Sequence, residues 1–119
     1  MNNIAVISSQ FNKEISDNLI EGIFDCYIKN GRDKENIIIF DVPGVFEIPG
    51  TVKQLLNKKT KYDFDCIICV GAVIKGKTAH FEYICNAVTN AIMDLNLLPS
   101  NDTPIIYGVL TTYDYEQAL

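Results

Sequence analysis

The sequence predicts an α/β protein, a three-layer sandwich built on a four-stranded parallel sheet. Two observations lead there. Four apolar runs are near-continuous rather than alternating, the pattern of strands buried on both faces of a parallel sheet. Between them lie segments whose apolar residues recur at helical spacing. The order is therefore βαβαβαβ, and such a chain packs helices on both faces of its sheet.

The first run, Ile4 to Ser8, is followed by a stripe of Ile15, Leu19, Ile23 and Cys26, with Gly31 placed to stop the helix. The second strand is Ile37 to Val42. Ile48, Val52, Leu55 and Leu56 form the next stripe, with Pro49 tolerated in the first turn. The third strand is Cys66 to Val73. Phe81, Ile84, Cys85, Val88, Ile92 and Leu95 make the clearest stripe. The fourth strand, Ile105 to Leu110, leads to Asp114 as a helix cap and then only Tyr115 to Leu119. One turn of helix is unstable unaided, so the last helix reads as truncated and one sheet face as partly uncovered.

At 119 residues the chain fits one domain, 1–119, and its 48% apolar content supports a packed core. The net charge of −5 and the lack of any Lys/Arg cluster argue against nucleic acid or an anionic membrane as partner. Lys58, Lys59 and Lys61 read as a solvated helix end. No apolar run approaches a membrane span and Met1 opens no signal-peptide layout, so a cytoplasmic protein is expected. Cys66 and Cys69 form a C-x-x-C, but residues three apart on a strand point to opposite faces. All four cysteines are expected buried and reduced.

In open α/β sheets ligands bind beyond the carboxyl ends of the strands. That rule selects Ser8–Asn12, Pro43–Glu47, Val73–His80 and Thr111–Asp114. Within the third, Gly71 to Thr78 satisfies G-x-x-x-x-G-K-T, the nucleotide-binding P-loop pattern. Its interior Ala72-Val73-Ile74-Lys75 suits a backbone cradle poorly, and no later strand ends in an acidic residue to hold Mg²⁺. A helix starting near Thr78 still offers unpaired N–H groups and a favourable dipole to a phosphate, with Lys77 adding charge. His80, the only histidine, sits at that helix start. A helix N-terminus disfavours imidazolium, leaving a neutral base available near pH 7.

These residues carry a resemblance. Ser9-Gln10-Phe11-Asn12, Val42-Pro43-Gly44-Val45-Phe46-Glu47-Ile48-Pro49, the stretch from Cys69 to Tyr83, and Pro104 to Thr112 with Glu116-Gln117-Ala118 together resemble the lumazine synthases of riboflavin biosynthesis. The similarity runs over essentially the whole chain. It implies a flavodoxin-like sandwich and a homo-oligomer, a pentamer or a multiple of it, with sites between subunits. It implies condensation of 5-amino-6-(D-ribitylamino)uracil with 3,4-dihydroxy-2-butanone 4-phosphate, without metal or organic cofactor. Phe11 would lie against the pyrimidine, Val45, Phe46 and Glu47 would line its ring and ribityl chain, and Ala72, Val73 and Ile74 would form the opposite wall. Lys77 and Thr78 would occupy the phosphate turn, His80 would move protons, and Tyr107 would reach a neighbouring subunit's site.

Gln10 and Lys75 stand where the family commonly has Arg, and Lys77 where a small or acidic residue is usual. The family continues past Glu-Gln-Ala into a helix whose arginine grips phosphate; this sequence stops at Leu119. Lys77 is expected to supply part of that charge, without an arginine's bidentate geometry. A non-catalytic ligand binder or shell subunit of the same fold is the alternative reading.

Overall fold

The computed structural model describes residues 3–57, 63–75, 80–99 and 101–118. Lys58, Lys59 and Lys61 lie outside them. Strands β1 (Asn3–Ser9), β2 (Ile37–Val42), β3 (Phe64–Ile74) and β4 (Ile105–Thr112) form one parallel sheet in the order β2-β1-β3-β4. Helices α1 (Lys13–Lys29), α2 (Ile48–Leu56), α3 (His80–Asn96) and α4 (Tyr115–Ala118) complete it.

Side-chain alternation along each strand divides the core between two faces. On one, Ala5 and Ile7 of β1 and Ile67 and Cys69 of β3 pack under Ile48 and Val52 of α2 and Val88 and Ile92 of α3. On the other, Val6 and Val70 pack under Leu19, Ile20 and Ile23 of α1, while Ile15, Ala72 and Ala118 form an adjoining cluster. Helix, sheet and helix are the three expected layers.

Local chemistry explains the element ends. Gly31 takes φ 77°, the Arg32 N–H donates to the Tyr27 carbonyl at 3.1 Å, and the Gly31 N–H donates to the Ile28 carbonyl at 2.9 Å. That is a Schellman stop, and only glycine adopts its left-handed turn without strain. Asn96 ends α3 by bonding both backbone groups of Ile105, at 2.9 and 3.1 Å, which pins α3 to the start of β4.

The short α4 survives because it is capped. The Gln117 N–H donates to Asp114 Oδ1 and the Tyr113 N–H donates to Gln117 Oε1, both at 2.9 Å. This reciprocal pair satisfies donors that a single turn leaves open. Ala118 is then buried against Ile15 and Ala72. The α1-side face remains partly open over β4, where Ile106 is half exposed.

Two expectations need correction. β3 and β4 run further than their apolar cores suggest, to Ile74 and Thr112, because the two strands stay paired to those residues. And only Cys69 is fully buried; Cys26 is exposed, with Cys66 and Cys85 between. Cys26, near the end of α1, lines an open groove of about 660 Å³ and stays exposed although Asn30 Nδ2 reaches its Sγ at 3.6 Å. Cys66 lines that groove while Cys69 lies in the core on the other face, so the C-x-x-C is split by the sheet. Burial pushes the Cys69 thiol up to about 12, with Cys66 adding to it, and burial followed by Asp65 raises Cys66. Neither is a nucleophile near neutrality. Among the described residues no helix is long and apolar enough to cross a membrane.

Candidate active site

The strand order makes β1 and β3 neighbours although their helices pack on opposite faces. That boundary is the switch point at which a crevice opens beyond the strand ends. The β1–β3 ladder ends at Ser8–Val70, yet β3 continues to Ile74. Beyond Val70, among the described residues, β3 has a strand neighbour only on its β4 side, so its backbone from Gly71 to Ile74 borders the crevice.

The loop after β1 forms one wall. Asn12 adopts φ 61°, a conformation that asparagine tolerates better than most residues, and its carbonyl accepts the Ile15 and Ser16 N–H groups that open α1. Ser16 Oγ donates to the Ser9 carbonyl at 2.7 Å, tying the turn to its own helix. Phe11 is left 72% exposed. Its ring is therefore not part of the core.

The loop after β2 forms the second wall. The Gln10 and Phe11 N–H groups donate to the carbonyls of Val42 and Pro43, at 2.8 and 3.1 Å, fastening the two loops together. Gln10 Nε2 also donates to Asp41 Oδ1 at 3.0 Å. Val45 is buried against the sheet, whereas Phe46 is 61% exposed and Glu47 is exposed. The turn seats closely because residue 71 is glycine: a Cβ there would stand 3.0 Å from Val45 Cγ2 and 2.9 Å from Ser9 Cβ.

Ala72 and Ile74 turn their side chains into the α1-side cluster and Val73 turns into the α2/α3-side core. What these three can offer a ligand is backbone. This placement also removes the P-loop reading, because Gly71 to Ile74 is extended, paired strand rather than a loop of convergent N–H groups. Lys77 and Thr78 lie outside the described residues. His80 is exposed at the first position of α3, the end of that helix nearest the crevice.

Tyr107 is not with the others. It sits on β4, at the sheet edge, opposite Cys69. It is half buried against the α2/α3-side core, with its hydroxyl 2.9 Å from Thr89 Oγ1. Burial raises its phenol above the ordinary value, and the Thr89 contact partly opposes this. Two residues of the loops selected from the sequence make contacts that no motif announces: Ser9, whose neighbour Gly71 must lack a Cβ, and Tyr113, whose ring meets Lys75 and Phe81. Their partners are distant in sequence, so spacing could not reveal them.

The profile of 6,7-dimethyl-8-ribityllumazine synthase matches residues 2–119. The chain belongs to this family. A 6,7-dimethyl-8-ribityllumazine synthase of Campylobacter jejuni is 41% identical over 116 residues, covering 98% of this chain and 72% of that protein. The enzymes of the same name from Nautilia profundicola and Campylobacter lari are 45% and 43% identical, covering 98% of this chain and 72% and 71% of theirs. Of the lumazine synthase motifs quoted from the sequence, the first two fall on the loops after β1 and β2 beside the crevice, the third begins on β3, and the fourth lies on β4 and α4.

Proposed function

We propose that this chain is a transferase of riboflavin biosynthesis. It condenses 5-amino-6-(D-ribitylamino)uracil with 3,4-dihydroxy-2-butanone 4-phosphate, giving 6,7-dimethyl-8-ribityllumazine and phosphate. The observation that carries this is the family match over residues 2–119.

Each group has a task in that chemistry. Phe11 and Phe46, exposed at the crevice, offer apolar faces to a pyrimidine. Val45 sets the floor, and the Glu47 carboxylate accepts hydrogen bonds from ribityl hydroxyls. The backbone of Ala72, Val73 and Ile74 reads the opposite ring edge. Lys77 and Thr78 receive the phosphate of the second substrate. An amine of the pyrimidine attacks the ketone; imine formation releases water, elimination releases phosphate, and ring closure releases a second water. His80 shuttles the protons. Holding the two reactants together supplies much of the acceleration.

The 1–119 chain acts as one domain, and it works in the cytoplasm as a homo-oligomer, a pentamer or a multiple of it. Tyr107, at the sheet edge, serves the neighbouring subunit's site. Tyr83 and Leu97, exposed at the two ends of α3 and not assigned to the crevice, support association. Native mass measurement tests the assembly, and a folded monomer refutes it. Mixing both substrates and following lumazine absorbance tests the activity. Turnover supports the reading; pyrimidine binding without turnover favours the non-catalytic binder.

A further inference from the structure

Tyr113 follows β4, and its ring meets residues on both sides of the β3–α3 connection. Lys75 Nζ stands 5.3 Å from the ring centroid. The Phe81 ring lies 6.1 Å away, tilted by 43°. Lys75 is the first residue after β3, and Phe81 directly follows His80 at the start of α3. One exposed ring therefore touches the residue leaving the sheet and the residue next to the imidazole.

The backbone that aims this ring is itself fixed. The Tyr113 N–H donates to Gln117 Oε1 at 2.9 Å, and Thr112 Oγ1 donates to the Asp114 carbonyl at 2.9 Å. The Lys75 N–H donates to the Thr112 carbonyl at 3.0 Å, carrying the β3–β4 pairing past the end of β3. The ring is 69% exposed, so it is not there to fill a core. Its contacts are directional: a cation over a ring face and a tilted ring pair both depend on orientation. Phe81 belongs to the first turn of α3, so the ring contact bears on the turn that carries His80.

We infer that Tyr113 is a positioning residue for His80, acting through Phe81 and Lys75. The inference rests on the proton-transfer role proposed for His80. Through Asp114 and Gln117 it also links the α4 cap to the imidazole, so four residues of helix contribute to the site without touching substrate.

The test compares the full chain with Tyr113→Ala and Tyr113→Phe. His80 is the only histidine, so its imidazole proton resonances are identified without mutagenesis. They shift or broaden in Tyr113→Ala and coincide with the parent in Tyr113→Phe, which keeps the ring face. In steady-state assays Tyr113→Ala loses kcat by about 5- to 10-fold, as expected from two weak directional contacts. The KM for the pyrimidine stays within about twofold, because Tyr113 is not placed against that substrate. Tyr113→Leu, which keeps apolar contact with Phe81 but offers the ammonium no ring, gives an intermediate resonance shift. Unmoved imidazole signals in Tyr113→Ala overturn the inference, and so does a Tyr113→Phe variant as impaired as Tyr113→Ala. If the parent chain turns over no substrate, the proposed reaction fails while the resonance comparison still decides the positioning role.

Discussion

Gly71→Ala tests how the crevice is built. A Cβ at residue 71 would stand 2.9 Å from Ser9 Cβ and 3.0 Å from Val45 Cγ2. Ordinary carbon contacts lie near ~3.5–4.0 Å, so both are short by about half an ångström or more. Ser9 cannot retreat, because β1 is paired with β2 through Ser9–Val42 and the Ser9 carbonyl is bonded by Ser16. The strain therefore falls on Val45 and the turn it anchors. Overpacking of this kind costs about 1–3 kcal/mol, offset by roughly 0.5–1 kcal/mol from the lower chain entropy of alanine. The expected net loss is about 1–2 kcal/mol, read from urea unfolding followed by circular dichroism. Phe46 and Glu47 shift with Val45, so pyrimidine affinity falls about tenfold, equivalent to ~1.4 kcal/mol. Gly22→Ala is the control: nothing lies within 4 Å of its Cβ, and the helix gains about 0.5–1 kcal/mol. A Gly71→Ala protein as stable as the parent, with undiminished pyrimidine binding, refutes the close seating of the turn.

Other perturbations follow from the same geometry. Ser8 is fully buried and its Oγ has no hydrogen-bond partner among the described residues, so Ser8→Ala raises the unfolding free energy measured in urea by about 1 kcal/mol; a loss contradicts this. Cys69 keeps its proton in the fold up to about 12, whereas an unfolded thiol ionises near 9.0. Unfolding then releases a proton between those values, and stability falls as pH rises through that window, by up to about 1.4 kcal/mol per pH unit from this thiol. Cys69→Ala shows a shallower alkaline slope if the account holds. A thiol reagent at neutral pH labels Cys26 first and leaves Cys69 unmodified until unfolding, as mass mapping of the peptides will show. His80→Ala lowers kcat by roughly 10²- to 10⁴-fold while pyrimidine binding persists; equal kcat in the variant removes the histidine from the mechanism.

The sheet and its helices were legible because their signals are local. Unbroken apolar runs marked β1 to β4, and Gly31 marked the end of α1 through the one backbone conformation it alone adopts easily. The crevice was legible in part. The rule about strand ends selected the loops of Phe11 and Phe46, but not the 2.8 and 3.1 Å backbone bonds that join them, since those pair residues more than thirty positions apart. Ile74 read as loop rather than strand, because the apolar run shades into the G-x-x-x-x-G-K-T pattern there and only the pairing with Thr112 carries the strand on. Cys26 read as core because helical spacing fixes which face a residue takes, not whether anything covers that face. Tyr113 was selected only as part of the loop after β4; its partners Lys75 and Phe81 were not legible, because sheet register brings them to it.

The central claim is that the pyrimidine sits in the crevice between β1 and β3, against Phe11 and Phe46. Nuclear Overhauser contacts between the bound pyrimidine and the phenylalanine rings test this directly, since the chain has six such rings at known positions. The account predicts contacts to Phe11 and Phe46, and none to Phe24, which packs from α1 against Val6 and Ile37 of the sheet. Contacts instead to Phe24, or to Tyr27 in the groove beside α1, would contradict it.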